Sequence, residues 1–386
     1  MRLGIDASNV GGGGGVTHLK ELLQHFDSIK YQDEISSIIL FASQTTLDSV
    51  DDFNGLKKIT FPELNKGLLK RVIFQLTNYD KFIKEECDVL LSITGDYVGS
   101  FKPVVGMSRN MLLYEREIWK EIKKPKEIIR FWLNFHKQKK SFKNSSGIIF
   151  ISNYAKNFVS QQLNLKDKRI EVIHHGVSLR FKNNLKEHIA INQFSKENPF
   201  LFAYVSTVHV YKHQWNVIEA VNLLHQKGYP VKLQLVGGII FEPAGKKMLD
   251  AIQRIDPNHD FIDYKGHMSY QEIDSIYKQA NGLIFASTCE NMPNTLLECM
   301  SAGVAIACSD KQPMPEFLKE NGYYFNAYNI ESIFNALEKL LKNPETNNTF
   351  AQKNLEEVEK FTWETTAKKT FDFLIENYKS YKKCAE

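Results

Sequence analysis

Short apolar runs alternate with helical stretches along this chain, and that alternation constrains the fold more than any other feature. A first series of apolar runs lies at residues 2–7, 36–42, 88–93, 104–107, 147–152 and 171–177. A second series lies at residues 200–205, 232–236, 261–264, 283–286 and 304–307. Strands that alternate with helices form parallel, doubly wound sheets. The sequence therefore predicts an α/β protein with two Rossmann-like domains.

The predicted boundary between the two series is a polar segment. Residues 183–198 have no apolar period and are interpreted as a linker, which leaves 1–182 as the first domain and 199–360 as the second. A final helix is predicted over 361–386. A chain of 386 residues, 43% of them hydrophobic, is long enough to give both domains full cores.

Composition narrows the class of protein further. The net charge of +4 is too small to argue for nucleic acid as a partner, and the five cysteines contain no C-x-x-C pair, as expected for reduced thiols. The first residues reach a charge too early for a signal peptide, and no apolar run approaches the roughly 20 residues of a membrane span. We expect a cytoplasmic protein, either free or at the inner face of the cell membrane.

The segment from Glu290 to Glu298 is the strongest candidate for a site. It follows the apolar run 282–287, so Glu290 is predicted in the loop after a strand and Glu298 on the first turns of the next helix. In open α/β sheets ligands bind in that crevice, and the start of a helix favours phosphate. A carboxylate can accept hydrogen bonds from two neighbouring hydroxyls, which suits sugars. Two solvated glutamates remain the alternative on spacing alone.

The residues around this segment resemble retaining glycosyltransferases of family 4, also called glycosyl transferases group 1, which have the GT-B type of fold. The resemblance is carried by the glycine loop 11–15, the stretch 204–213, the run 262–287, the two glutamates and the continuation 299–316. It implies two Rossmann-like domains that face each other across a cleft, with the final helix crossing back to the first domain. It is specific for the family and weak for the substrate.

The resemblance assigns roles on the donor side. It implies that Lys212 neutralises the departing diphosphate, that Glu290 contacts sugar hydroxyls and that Glu298 contacts the ribose. Further donor contacts are implied for Thr207, Asn294, Thr295, Gly237, Gly266 and Met268. Thr207 stands where many relatives have an arginine, so one phosphate-binding cation is missing; His209, His213 or Arg109 are candidates to compensate.

The glycine loop and the acceptor side are less specific. Gly14 and Gly15 lead from a strand into a helix, as a phosphate-binding loop would, and the resemblance places them beside the donor phosphates or the acceptor. A merely flexible turn is the alternative. Arg109 and Asn110 stand where many relatives have a histidine, and they are candidates for contact with the sugar or the acceptor.

No metal or other cofactor is expected, with the nucleotide sugar as donor substrate. The chain contains no D-x-D motif and its eleven histidines are dispersed. The resemblance includes no agreed protein nucleophile. This favours front-face attack, in which the acceptor hydroxyl approaches the sugar from the side on which the phosphate leaves.

The stretch 119–143 is basic and amphipathic, with aromatic residues between its lysines. It is able to lie on an anionic membrane surface. The alternative is a helix whose aromatic face packs inward while its lysines are solvated.

The leading hypothesis is a retaining, metal-independent hexosyltransferase that uses a UDP or GDP sugar and a saccharide or lipid-linked saccharide acceptor. Surface polysaccharide or lipopolysaccharide biosynthesis is the expected setting. The alternatives are a sugar-nucleotide epimerase or a phosphorylase on a related two-domain fold, and a non-catalytic module that binds nucleotide sugars.

Overall fold

The computed structural model describes residues 1–65, 74 and 77–385, which group into two compact units. The first unit comprises Met1–Tyr114, Lys124–Gly176 and Phe361–Glu386. The second comprises Glu115–Lys123 and Val177–Lys360. The second unit therefore includes two segments that were predicted in the first domain, residues 115–123 and 177–182.

The first unit is built on a sheet of seven parallel strands in the order β3-β2-β1-β4-β5-β6-β7. The strands are β1 (Arg2–Asp6), β2 (Ser37–Phe41), β3 (Leu56–Ile59), β4 (Val89–Ser92), β5 (Val104–Ser108), β6 (Gly147–Phe150) and β7 (Arg169–Val172). The central strands are buried on both faces, which is why they consist of continuous apolar residues. Gly4 is required in β1, because a Cβ there would lie 2.6 Å from Cys87 Sγ.

Helices cover both faces of this sheet. They are α1 (Gly14–Gln24), α2 (Gln44–Asp48), α3 (Asn78–Glu86), α5 (Pro125–Asn144), α6 (Asn153–Leu163) and α14 (Trp363–Ala385), with α4 (Arg116–Ile122) packed on the second unit. The C-terminal helix α14 packs against α1 and β4. The amino terminus of α6 is capped by Ser152, whose hydroxyl accepts a hydrogen bond from Ala155 N.

The second unit is built on six parallel strands in the order β10-β9-β8-β11-β12-β13. The strands are β8 (Phe200–Val205), β9 (Val231–Val236), β10 (Ile262–Tyr264), β11 (Gly282–Phe285), β12 (Ile306–Ser309) and β13 (Tyr323–Phe325). The helices are α7 (Gln214–Gln226), α8 (Glu242–Ile255), α9 (Ile273–Gln279), α10 (Asn294–Ser301), α11 (Met314–Leu318), α12 (Ile330–Lys342) and α13 (Pro344–Val358).

The two strands that the sequence analysis missed, β3 and β13, are edge strands. Each pairs with one neighbour only, and most of their residues are partly exposed. A strand that buries so little side-chain area needs no continuous apolar run, so it leaves a weak signal in the sequence.

The polar segment 183–198 packs against the second unit and forms hydrogen bonds with it. Asn183 N and Lys186 N donate hydrogen bonds to the carbonyls of Ser301 and Gly303, at 2.9 and 3.0 Å. The imidazole of His188 accepts a hydrogen bond from Ala305 N at 3.2 Å. Polar residues that satisfy backbone groups produce no apolar period, which explains why the sequence alone indicated a linker.

The basic stretch 119–143 is two helices and not one surface. Lys123, with φ of 50°, ends α4, and Pro125 occupies the first turn of α5. The residue before a proline disfavours helical backbone, so the break has a local cause. Trp119 and Ile122 are buried, and Glu121 accepts a hydrogen bond from Tyr328 of the second unit.

Among the described residues, none of the helices combines the length and apolar character that crossing a bilayer requires. All five cysteines are free thiols; Cys87, Cys289, Cys299 and Cys308 are buried and Cys384 is exposed.

His188 gives the second unit a predictable response to acid. Burial lowers its pKa to about 4, so the folded state favours the neutral ring that accepts from Ala305 N. The unfolded chain binds more protons between about pH 6.5 and 4, and stability must fall as the pH falls through that range. The variant His188→Gln keeps a hydrogen-bond acceptor but has no titrating ring. Over this pH range we expect its free energy of unfolding to fall by roughly 2 kcal/mol less than that of the parent.

The measurement is urea unfolding at several pH values. His259→Asn is the control, because His259 is exposed. Parallel stability curves for the parent and His188→Gln would show that the buried imidazole does not cause the acid sensitivity.

Candidate functional site

The carboxyl edge of the second sheet holds the candidate site. β8 connects to β9 on one side, whereas β11 lies on its other side, so the strand order reverses between β8 and β11. Crevices at such switch points are the usual ligand sites of open parallel sheets. The loops that follow β8 and β11 carry Lys212 and Glu290, 78 positions apart in the chain.

Lys212 and Glu290 form an ion pair in this crevice. Their side chains are only 10% and 17% exposed, so both charges are largely removed from water. The Lys212 backbone is fixed by Tyr204, whose hydroxyl donates to the Lys212 carbonyl at 2.8 Å. Its ammonium also lies 5.4 Å from the ring centres of Tyr211 and Phe285. The pair is thus held in one place before any ligand arrives.

The neighbouring histidines do not supply a second positive charge at neutral pH. Burial lowers the pKa values of His209 and His213 to about 4. His209 Nδ1 accepts from Val210 N, and His213 shares a hydrogen bond of 2.9 Å with the Thr288 hydroxyl. Both rings therefore contribute hydrogen bonds to the loop after β8. Neither histidine is charged, so neither replaces the positive charge of the arginine that many relatives have at position 207. Thr207 itself is exposed in the same loop.

Glu298 lies on α10, where its carboxylate is enclosed by two tyrosines. The hydroxyls of Tyr270 and Tyr277 donate to it at 3.2 and 3.3 Å. Burial raises the pKa of this carboxyl to about 7, although the two hydroxyls act in the opposite direction. Asn294 and Thr295 open the same helix after the cap residue Pro293, so the amide groups of its first turn lie next to the loop that carries Glu290.

The glycines after β9 and β10 allow close approach of backbone. Gly237 has φ of 142°, and a Cβ there would lie 2.0 Å from Ser206 O. Gly237 N donates to Gly266 O at 2.8 Å, which joins the two loops. Gly266 has φ of 68° and open space beside it, and Met268 follows half-buried.

In the first unit the glycine loop follows β1 at the switch point between β1 and β4. Gly13 has φ of 56° and ψ of −146°, a conformation that residues with a Cβ avoid, and α1 begins at Gly14. The guanidinium of the half-buried Arg109 donates to Gly14 O at 2.7 Å. Partial removal from water lowers its pKa to about 10, so it remains charged at neutral pH. Asn110 is engaged locally, because its side chain accepts from Leu112 N.

Several site features had no signal in the sequence. Tyr270, before α9, and Tyr277, on α9, donate hydrogen bonds to Glu298 on α10 from 28 and 21 positions away. In the first unit, the buried ring of His18 on α1 stacks on His175 at 4.5 Å between ring centres, and His175 stacks on Trp363 at 5.5 Å. Such contacts between distant segments follow from tertiary structure and leave no spacing pattern.

Within the described part of the chain, no group of three or more His, Cys, Asp or Glu side chains is arranged to hold a metal ion.

Comparison with known proteins finds a family model that is similar to most of the second unit and solved structures that share the fold. Residues 186–357 match the family model described as glycosyl transferases group 1. Over 112 residues the chain is 22% identical to the O-antigen chain mannosyltransferase B of Escherichia coli. That match spans 29% of this chain and 29% of the relative, so less than a third of the relative's length is covered.

Solved structures resemble the whole chain. Anabaena HepE in complex with UDP and glucose aligns over 97% of this chain and 98% of its own, with a TM-score of 0.69 and 17% identity. Sucrose-phosphate synthase from Thermosynechococcus elongatus aligns over 98% and 99%, with a TM-score of 0.74 and 13% identity. These likenesses confirm the predicted fold: two parallel-sheet α/β domains of the GT-B type.

The glycine loop gives a test with an internal control. We expect Gly13→Ala to lower the unfolding free energy by about 1–3 kcal/mol, because alanine is strained at a positive φ with this ψ. Gly11→Ala should change it by less than about 0.5 kcal/mol, because the space beside Gly11 is open and its φ is not positive. Urea unfolding of both variants checks this, and equal losses would show that Gly13 is not the strained position.

Proposed function

We propose that the protein belongs to the glycosyl transferases group 1 family, whose model matches residues 186–357, and that it transfers a sugar from a nucleotide-diphosphate sugar to a saccharide or lipid-linked saccharide. Transfer is retaining and needs no metal. The product belongs to surface polysaccharide or lipopolysaccharide biosynthesis in the cytoplasm. The single observation that supports this most is the buried Lys212–Glu290 ion pair at the switch point of the second sheet.

The proposal assigns Lys212 to the diphosphate. Departure of a nucleoside diphosphate builds negative charge, and a preorganised cation in a site with little water stabilises that charge strongly. The Lys212 ammonium is already desolvated and positioned by its contacts with Glu290, Tyr211 and Phe285. The amide groups at the start of α10 add a partial positive charge on the same edge of the sheet.

Glu290 and Glu298 then bind hydroxyls. Glu290 accepts from the Lys212 ammonium through Oε1, and the proposal assigns its second oxygen to hydroxyls of the donor sugar. Glu298 accepts from the ribose hydroxyls, with the base against Gly266 and Met268 and the backbone at Gly237 nearby. Solved relatives support the donor class, since HepE has been crystallised with UDP and with UDP-glucose.

The first unit is assigned to the acceptor. The Arg109 guanidinium uses one N–H group on Gly14 O and keeps other donors for a phosphate or a hydroxyl. The loop at Gly14 and Gly15 presents backbone N–H groups at the start of α1, which suits an anionic group of the acceptor or the donor.

The defining experiment is calorimetry with UDP, GDP, ADP and CMP and their sugars, repeated with EDTA. Tight binding of one nucleoside diphosphate, unchanged by EDTA, is the expected result. NMR of the product formed from that donor then reports whether the anomeric configuration is retained. Absence of binding to any of these compounds would overturn the proposal.

Removing either member of the ion pair should abolish most activity. We expect Lys212→Met and Glu290→Gln each to lower kcat by about 10²-fold or more, because the diphosphate loses its cation or the ammonium loses its orientation. The double variant should be little worse than either single variant, since the two side chains act as a unit.

The matched control for this pair is Lys227→Met. Lys227 forms an ion pair of 2.6 Å with Glu338 in the same unit, but the lysine is exposed. It should keep the parent rate. Melting temperatures of all four variants separate loss of chemistry from loss of fold, and full activity of a folded Lys212→Met protein would rule out its assigned role.

The raised pKa of Glu298 predicts pH-dependent donor binding. Below about pH 7 the carboxyl is protonated and offers fewer acceptor sites to the ribose; above it the carboxylate accepts two hydroxyls. We expect the affinity for the nucleoside diphosphate to rise about tenfold more between pH 6 and 8 in the parent than in Glu298→Gln. Comparison of the two proteins cancels titration of the ligand's own phosphate. Identical pH profiles would remove Glu298 from the ribose site.

A further inference from the structure

One face of α5 (Pro125–Asn144) is apolar and exposed. Ile129, Trp132 and Leu133 are 58%, 51% and 51% exposed. Trp132 and Leu133 lie three and four residues after Ile129, so the three side chains share one side of the helix. Three large apolar side chains on one helix expose much more surface than single scattered residues do. We define these three residues, with Lys126, Arg130, Lys140 and Lys143 around them, as the α5 surface.

The inner side of α5 is firmly held, so the exposed side chains do not result from a loosely packed helix. Phe131, Phe135 and Phe142 are buried in the first unit. Gln138 donates to Thr94 O at 3.0 Å and accepts from the Tyr114 hydroxyl. The helix therefore has an inner side fixed by packing and an outer side on which Ile129, Trp132 and Leu133 are each more than half exposed.

The charges around the apolar residues select the class of partner. Between Pro125 and Asn144 the sequence contains six basic residues and one acidic residue, Glu127, which pairs with Arg130. Lys137 forms an ion pair of 2.9 Å with Asp96, and its side chain is only 23% exposed. Lys126, Lys140 and Lys143 are exposed, and Lys140 lies on the same side of the helix as Ile129 and Leu133.

We propose that the α5 surface binds the first unit to an anionic phospholipid bilayer, with Ile129, Trp132 and Leu133 inserted at the level of the headgroups. An apolar strip bordered by lysines is the composition of helices that lie in the plane of a membrane. Tryptophan favours the interface because one end of its ring system is polar. The lysines add electrostatic attraction to an acidic leaflet.

The proposed membrane-binding residues are only part of the basic stretch 119–143 that the sequence indicated. Trp119, Ile122, Phe131 and Phe135 are buried and take no part, whereas the exposed strip is limited to residues of α5. Binding to a membrane is independent of the transfer reaction, so its test does not rely on the proposed function.

Trp132 provides a direct signal. The chain has four tryptophans, and Trp119, Trp215 and Trp363 are each less than a tenth exposed. We expect the emission of the full chain to shift to shorter wavelength on addition of vesicles of equal parts phosphatidylcholine and phosphatidylglycerol. Brominated lipid should quench it. Both effects should be absent in Trp132→Phe, although that variant still binds.

Cosedimentation with the same vesicles measures the binding itself. Ile129→Ser with Leu133→Ser, and separately Lys126→Glu with Lys140→Glu, should each lower the partition coefficient about tenfold or more. Added salt and pure phosphatidylcholine vesicles should have the same effect as the charge changes. The controls are Ile29→Ser and Lys81→Glu, which alter exposed residues of the same unit outside α5.

Three results would overturn the proposal. One is equal binding by the α5 variants and the parent, and another is no binding by the folded parent chain. The third is a parent chain that elutes as a dimer in size-exclusion chromatography and does not bind vesicles, while the Ile129→Ser, Leu133→Ser variant elutes as a monomer. That result would assign the α5 surface to contact with a second copy of the chain.

Discussion

The candidate site depends on one interaction, the ion pair between Lys212 and Glu290. Two charges this far removed from water are tolerated only because each compensates the other; a lone buried charge would cost several kcal/mol, on the order of 3–5. Sheet topology makes the pair possible. β8 and β11 are neighbours in a parallel sheet, so the loops at their carboxyl ends meet although they are distant in sequence. The rest of the site is arranged around this fixed dipole.

The sequence was sufficient for the architecture because parallel strands buried on both faces consist of continuous apolar residues. β8 and β11 were therefore predicted to within one residue at either end. The edge strands β3 and β13 bury less side-chain area and were missed. The segment 183–198, predicted as a linker, donates backbone hydrogen bonds from Asn183 and Lys186 to the second unit, and such bonds leave no trace in side-chain polarity.

The candidate site was partly predictable for a similar reason. Glu290 and Glu298 were singled out because a strand's carboxyl end can be located from an apolar run, whereas Lys212 was assigned from the family resemblance. The structure brings Lys212 and Glu290 together, and the roles of all three residues stay predictions. The tyrosines that enclose Glu298 and the stacked rings of His18, His175 and Trp363 depend on packing between separate elements. Amphipathic pattern likewise identified the basic stretch, but only the structure shows that Pro125 separates it into two helices with different neighbours.

The ionisation states around the pair follow from burial and favour an anionic ligand that arrives with its own charge. His209 and His213 are neutral because each is desolvated, and Glu298 has its pKa near neutrality for the same reason. Among these groups Glu290 therefore balances the Lys212 charge. In the proposed reaction a diphosphate that displaced part of this balance would gain an ammonium already removed from water, and Glu290 would turn its carboxylate to hydroxyl donors of the sugar. Under that proposal desolvation would serve both halves of the donor, the phosphates through the lysine and the carbohydrate through the glutamate.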